Sequence, residues 1–249
     1  MLLEGKIAVI TGAGRGLGKA MARIFAREGA QVLAVDISGE EKAVAAGIGS
    51  SVVPYHADVA REDEIEAMFA FALSRFGKVD ALVNNAATLM ALREELTAGE
   101  YEEGTAVNLR GLMFCCKHAI RAMAKGGGGS IVNITSAGVL GVEDRASIVY
   151  SAAKTAVHSL TQSLAFHHGR QGIRVNAVAP GLCKTENWDR YPEDFKEQIY
   201  GKPVLGRPGE AEEPGEVAAF LASDRASYVT GAIIPVDGGI ATTAGGTGR

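Results

Sequence analysis

Tyr150 and Lys154 stand four residues apart in the run Tyr150-Ser151-Ala152-Ala153-Lys154. That spacing matters only on a helix. Apolar residues at Ala153, Val157, Leu160 and Leu164 recur with helical spacing through Phe166, so the run reads as an α-helix. Positions four apart on a helix are neighbours, and the phenol and the ammonium then share one face. An ordinary tyrosine titrates near ~10, and a fixed positive charge beside it favours the phenolate. The pair is therefore a candidate proton-transfer unit for an alcohol or carbonyl oxygen. An amphipathic helix also carries such a pair by chance, so the weight falls on the surrounding elements.

The first of these is near the N-terminus. Lys6–Ile10 is a short apolar run of strand character. Thr11-Gly12-Ala13-Gly14-Arg15-Gly16-Leu17-Gly18 follows directly, and then Ala20, Met21, Ile24 and Phe25 recur at helical spacing. Strand, glycine-rich turn and helix is the setting in which backbone approaches a pyrophosphate and free helical N–H groups meet its charge. The glycines at 12, 16 and 18 give a T-G-x-x-x-G-x-G spacing, not the common G-x-G-x-x-G. The second strand, Gln31–Val35, ends in Asp36. A carboxylate there accepts hydrogen bonds from ribose hydroxyls and repels a 2′-phosphate, which favours NAD over NADP. Arg15, a basic residue within the loop, is the contrary signal.

The rest of the chain keeps the same rhythm. Ser38-Gly39-Glu40-Glu41 and Thr97-Ala98-Gly99-Glu100 have the form of capping boxes. Strands are expected at Ser51–His56, Val79–Val83, Ser130–Ile134, Arg174–Val178 and Ile233–Val236. A helix is expected across Ile65, Met68, Phe69, Ala72 and Phe76, and a short one over Val217–Ala222. Asp58 at a strand end reads as a turn residue or as an adenine contact. Asn84-Asn85-Ala86-Ala87 ends a strand in amides and small residues that admit a flat ligand. Asn108 lies within a helical pattern, where a lone Asn carries little information. Ser136 follows a strand, at the side of an α/β sheet where ligands bind. Glu186–Lys202, with Trp188, Tyr191, Phe195 and Tyr200, breaks the rhythm and suits a lid over the substrate or a packed connection. The glycine- and threonine-rich tail, 240–249, is expected to fray. No linker or repeat divides 1–249, so the expectation is one domain, a doubly wound parallel α/β sheet of about seven strands with helices on both faces.

The bulk numbers exclude other classes. A chain of 249 residues, 47% hydrophobic and 22% charged, buries a sizeable core and is too apolar for disorder. Its net charge of -4 offers no basic footprint for nucleic acid. The three cysteines, Cys115, Cys116 and Cys183, form no C-x-x-C. Their odd number suggests reduced thiols in a cytosolic setting. There is no room for a signal peptide before the first strand and no apolar run of ~18 residues, so a soluble cytoplasmic protein is expected. The histidines show no metal-ligand spacing, and no G-x-S-x-G surrounds any serine.

In this order the pieces resemble the short-chain dehydrogenase/reductase family nearly end to end. The matching segments are Thr11–Gly18, Asp58-Val59, Asn84-Asn85-Ala86, Asn108, Ser136, Tyr150-x-x-x-Lys154, Pro180-Gly181 with Thr185, and Val236-Asp237-Gly238-Gly239. The resemblance implies that Tyr150 is the acid/base, that Lys154 tunes it and binds the nicotinamide ribose, and that Ser136 polarises the substrate oxygen. It implies that Asn108 positions a water linked to Lys154. Gly12, Gly16, Leu17 and Gly18 would line the pyrophosphate, Asp36 the ribose, and Asp58 and Val59 the adenine, with Arg15 also among the cofactor-binding residues. Asn85 and Ala86 would lie beside the cofactor, and Pro180, Gly181, Cys183 and Thr185 would frame the nicotinamide. A homotetramer is implied as well. Two departures stand out: Ala87 replaces the usual glycine, and the Ser136–Tyr150 interval is one residue longer than usual, placing an insertion in Val139–Ser147.

The activity these expectations describe is interconversion of a secondary alcohol and a ketone with NAD. A non-catalytic NAD-binding sensor and a same-fold epimerase or dehydratase are the alternatives. The segments expected to border the substrate, Thr88–Leu92, Val139–Ser147 and Glu186–Tyr200, mix Leu89, Met90, Val142 and Trp188 with Glu143, Asp144, Arg145 and Glu186. They do not choose between a cyclic or lipid-like alcohol and a sugar or hydroxy acid.

Overall fold

A computed structural model describes residues 1–89, 96–140, 147–186, 188, 192–200 and 202–243. Its first half alternates β1 (Ile7–Thr11), α1 (Gly16–Arg27), β2 (Gln31–Asp36), α2 (Glu41–Ile48), β3 (Val52–His56), α3 (Glu62–Phe76) and β4 (Ala81–Asn84). After α4 (Ala98–Thr105) come a π-helical turn (Ala106–Gly111), α5 (Leu112–Gly126), β5 (Gly129–Ile134), a 3₁₀ turn (Ala137–Leu140), α6 (Ile148–His168) and β6 (Ile173–Pro180). The remainder holds β7 (Cys183–Lys184), α7 (Glu193–Tyr200), β8 (Gly209–Glu210), α8 (Glu212–Ala222), β9 (Ile233–Val236) and α9 (Ile240–Thr243).

Seven strands form one parallel sheet in the order β3-β2-β1-β4-β5-β6-β9. A sheet covered on both faces needs strands that are apolar throughout, and all of Ile7–Thr11 is buried. Ala8 and Ile10 pack with Met21, Phe25 and Ala218 from α1 and α8. Val9 packs on the other face with Met68, Cys115 and Val157 from α3, α5 and α6. The strand order reverses between β1 and β4. Connections diverge there and open a crevice at the carboxyl ends of the strands, where ligands bind in such sheets. The glycine loop after β1 and Asn85-Ala86 after β4 both lie at this crevice.

The expected strands are all present, with ends shifted by a residue or two. Three features differ from expectation. Thr97 and Glu100 form the reciprocal capping box, but Ser38 and Glu41 do not. Ser38 Oγ accepts only from Glu40 N at 3.3 Å, while Glu41 is buried, its Oε1 3.9 Å from His56 Nδ1. The last long helix starts at Glu212 rather than Val217, because Pro214 lies in its first turn, where no intrahelical N–H is needed. Finally, β7 and β8 pair in a small parallel sheet; two-residue strands carry no periodicity to read. The segment 186–202 contains α7, and the tail begins with α9; residues 187, 189–191, 201 and 244–249 are outside the described residues.

Gly111 marks a tight approach in the site-bearing half. A Cβ added there would stand 2.2 Å from the Val59 carbonyl oxygen. Gly111→Ala is therefore expected to destabilise the fold by about 1–3 kcal/mol through overpacking. Gly126→Ala, with nothing within 4 Å of its added Cβ, should be neutral or stabilising by up to ~1 kcal/mol through helix propensity. Urea midpoints of the two variants check this, and equal midpoints would contradict the packing at Gly111.

Candidate active site

The helix α6 begins with Ser147 at its N-cap, the hydroxyl accepting from Val149 N at 3.2 Å. It then delivers Tyr150 and Lys154 to the crevice. Lys154 is 1% exposed, and its Nζ donates to the Ile134 carbonyl oxygen at 2.8 Å. The same nitrogen lies 5.8 Å from the centre of the Tyr150 ring, which is itself buried. Burying an ammonium disfavours its charged form, and desolvation pushes the Lys154 pKa down to about 8. The side chain thus stays mostly charged at neutral pH, but its proton is held less firmly than that of a surface lysine.

Ser136 is positioned by the same end of β5. Thr135 lies between the lysine's anchor, Ile134, and Ser136. Its N–H donates to the Val178 carbonyl at 2.8 Å, its hydroxyl donates to the same oxygen at 3.3 Å, and that hydroxyl lies 3.2 Å from His158 Nε2. Tyr150, Lys154 and His158 are four residues apart on α6, so one face of the helix grips the strand end that leads to Ser136. Ser136 is half-buried and heads the 3₁₀ turn, its Oγ accepting from Gly138 N at 3.2 Å.

Asn108 is fully buried in the π-helical turn, unlike an ordinary helical Asn. Its Nδ2 donates to the Thr88 and Gly104 carbonyls, both at 2.9 Å, and its Oδ1 accepts from Thr88 N at 3.1 Å. Both donors are occupied by backbone, so the side chain pins the segment after β4 to the helix, and one Oδ1 lone pair is its remaining capacity. Ala87, beside this segment, is exposed, so its methyl group does not crowd the protein.

The glycine loop is held from below. Thr11 Oγ1 accepts from Asn85 N and Ala86 N, both at 3.1 Å, and Asn85 Nδ2 donates to the carbonyls of Thr11 and Gly12 at 3.0 Å. Gly12 has φ of +65°, and a Cβ at Gly18 would stand 2.0 Å from the Gly12 carbonyl. The loop therefore folds tightly onto itself and presents backbone at the N-terminus of α1. Leu17 packs into the core from the same turn, and Arg15 is exposed in extended conformation at the N-cap. This backbone cradle at a helix N-terminus fits a pyrophosphate, with the Glu186 carboxylate on its Gly16 N–H.

At the end of β2, Asp36 Oδ2 accepts from Gly14 N at 2.8 Å and Oδ1 from Ser38 N at 2.9 Å. Partial burial works against its charge, yet these backbone bonds outweigh it and hold the carboxyl below its usual pKa. Asp58 serves turn chemistry, with Oδ1 accepting from Ala60 N at 2.8 Å. Val59 is buried against Gly111. On the other flank β6 ends at Pro180, and Gly181 N donates to the Val236 carbonyl at 3.0 Å. A Cβ at Gly181 would stand 2.7 Å from Asp237 Cα, so the closing Val236-Asp237 seats this turn. The Cys183 thiol is half-buried and pushed up to about 12 by burial, with Glu213 and Glu210 adding to the shift. A side-chain methyl of Thr185 lies 3.4 Å from a Cβ added at Gly16, so the Pro180–Thr185 segment touches the glycine loop.

Sequence reading did not single out the supports beneath these groups. Asn84 and Asn133 face each other across β4 and β5, with Asn84 Nδ2 donating to Asn133 Oδ1 at 2.9 Å and Asn133 Nδ2 to Thr161 Oγ1 at 3.0 Å. Amides at matching positions of apolar strands were the available signal. Of the substrate-bordering residues, Met90, Val142, Glu143, Asp144 and Arg145 are outside the described residues. Leu89 is exposed and Trp188 half-buried. Glu186 is turned onto the glycine loop, its Oε2 accepting from Gly16 N at 2.9 Å.

Comparisons with known proteins place the chain in a family. The family model described as enoyl-(acyl carrier protein) reductase, adh_short_C2, matches residues 12–241. The chain is 39% identical to the 3-oxoacyl-(acyl-carrier-protein) reductase FabG of Thermotoga maritima, over 96% of this chain and 99% of that protein. It is 38% identical to the meso-2,3-butanediol dehydrogenase of Serratia marcescens, over 98% of each. It is 39% identical to the 3-alpha-(or 20-beta)-hydroxysteroid dehydrogenase of Mycobacterium bovis, over 95% of this chain and 90% of that protein. With its parallel sheet, glycine loop and Tyr150–Lys154 helix, the chain belongs to the short-chain dehydrogenase/reductase family of oxidoreductases.

Proposed function

We propose that the protein interconverts a secondary alcohol and a ketone with a nicotinamide dinucleotide, using NAD in preference to NADP. The observation that carries this reading is the buried Lys154 ammonium on the Ile134 carbonyl, 5.8 Å from the Tyr150 ring. A buried cation is expensive to hold, and its position next to a phenol gives it a chemical use. Tyr150 Oη takes the proton of the alcohol or returns it to the ketone, and Lys154 favours the phenolate and binds the nicotinamide ribose. Ser136 Oγ hydrogen-bonds the reacting oxygen, and Asn108 positions a water linked to Lys154. When bound, the nicotinamide supplies the hydride acceptor or donor.

The remaining residues bind and orient that cofactor. Gly12, Gly16, Leu17 and Gly18 receive the pyrophosphate, Arg15 lies on the adenosine side of the loop, and Asp58 and Val59 border the adenine. Asn85, Ala86, Pro180, Gly181, Cys183 and Thr185 enclose the nicotinamide end. Asp36 selects NAD: its carboxylate is fixed and ionised by Gly14 and Ser38, and a 2′-phosphate brought against it meets like charge. The chain works as one domain within a cytoplasmic homotetramer. Exposed apolar residues on its long helices, such as Met113 and Phe166, support the assembly. The relatives' names span a small diol, an acyl thioester and a steroid, so the substrate class is open to a panel.

Reduced-nicotinamide absorbance, followed with NAD and NADP in parallel across diols, sugars, hydroxy acids, hydroxyacyl thioesters and hydroxysteroids, is expected to show turnover with NAD. Silence across the panel despite measured cofactor binding would favour a non-catalytic role. Tyr150→Phe should lower kcat by roughly 10²–10⁴-fold and leave the Kd for NAD within about threefold; near-normal turnover would sink the mechanism. Asp36→Ala should narrow the NAD-to-NADP ratio of kcat/KM by tenfold or more.

The sign of the pH dependence follows from Lys154. Below about 8 it is protonated and supports the phenolate; above about 8 that support fades. Alcohol-oxidation kcat/KM should therefore rise from the acid side and stop rising near pH 8. A flat profile, with an isotope effect showing that chemistry limits the rate, would contradict the assignment.

A further inference from the structure

Glu186 makes two contacts of the kind an anionic ligand makes. Its Oε2 accepts from Gly16 N, the first N–H of α1, at 2.9 Å, and its Oε1 pairs with Lys19 Nζ at 2.9 Å. The first N–H groups of a helix have no intrahelical acceptor, and together with the helix dipole they attract negative charge. Here the helix is the one that opens the glycine loop. A small cleft joins these groups, with Lys184 and Arg23 on its walls beside Lys19 and Gly16. Lys184 is paired with Glu210 at 2.8 Å. Lys19, Arg23 and Lys184 share this cleft with Glu186 and Glu212, and Glu186 stays ionised within it. Slight burial opposes that ionisation, but the bonds from Lys19 and Gly16 prevail and hold the carboxyl below its usual pKa.

We infer that Glu186 is a positioning residue for the dinucleotide, its carboxylate holding the place of a cofactor phosphate on the α1 N-terminus and leaving that place when the cofactor binds. This rests on the dinucleotide reading of the glycine loop. Two like charges on one N–H and one lysine repel, so the carboxylate and a phosphate exclude each other there. Glu186 immediately follows Thr185, whose carbonyl accepts from Trp188 N at 2.8 Å. Departure of the carboxylate therefore moves the turn that Trp188 N closes on Thr185. Cofactor arrival and movement of Trp188 are one event. The chain's single tryptophan reports it.

The test compares the wild-type full chain with Glu186→Ala and Glu186→Asp, titrated with NAD and separately with inorganic pyrophosphate. Calorimetry reads affinity and Trp188 emission reads the turn. Glu186→Ala should bind NAD about 5- to 20-fold more tightly than wild type, while Glu186→Asp, which keeps the charge, should stay within about twofold. Pyrophosphate should change Trp188 emission in wild type and produce no such change in Glu186→Ala. A residue that merely braces the loop would bind NAD more weakly once removed. Unchanged or weakened NAD binding in Glu186→Ala, or NAD binding to wild type with no change in emission, would overturn the inference and leave the proposed function standing. Wild-type protein that binds neither NAD nor NADP would overturn both.

Discussion

One buried charge organises the site. The Lys154 ammonium, closed off from water and bonded to the Ile134 carbonyl, links α6 to the end of β5 at the centre of the sheet. An ion removed from water in this way is destabilising unless its partners are well placed. The helix must therefore arrive at one depth and one rotation, and Tyr150, one turn earlier, takes its position from that constraint. Ser136 takes its own from the same strand end, two residues beyond the lysine's acceptor.

The surrounding polar bonds make that arrangement stiff. Thr135 is tied to Val178 and meets His158 from α6. Asn84 and Asn133 lock neighbouring strands to one another and to Thr161. Asn85 clamps the glycine loop through two carbonyls. Polar groups in an interior specify register when each finds its partner. Nearly all of these partners are at the carboxyl ends of β1, β4, β5 and β6, so the stiff part of the sheet coincides with the crevice.

What could be read from the residues followed local periodicity and local motif. The strands, α1, α3 and α6 were legible because buried elements must be apolar with period two or 3.6, and the glycine loop because its setting is sequential. The π-helical turn was not, since one extra residue in a helix leaves no periodic trace and Asn108 alone is ambiguous. Neither was the failure of the Ser38–Glu41 capping box: Glu41 turns inward toward His56, a choice made by packing across α2 and β3. The Asn84–Asn133 pair required strand register, and the Glu186 contact required knowledge that residue 186 returns to residue 16. Each is a long-range relation that no window of sequence contains.

The most direct test of the central claim is the protonation of Lys154 itself, followed by ¹³C NMR of the lysine ε-carbons, with Lys154→Met identifying the resonance. The structure predicts a midpoint of about 8 for Lys154, separated from the other lysines, because desolvation opposes its charge. A midpoint at the ordinary lysine value near ~10.4 would mean that the ammonium is solvated, and the buried anchor on which this account of the site depends would not exist.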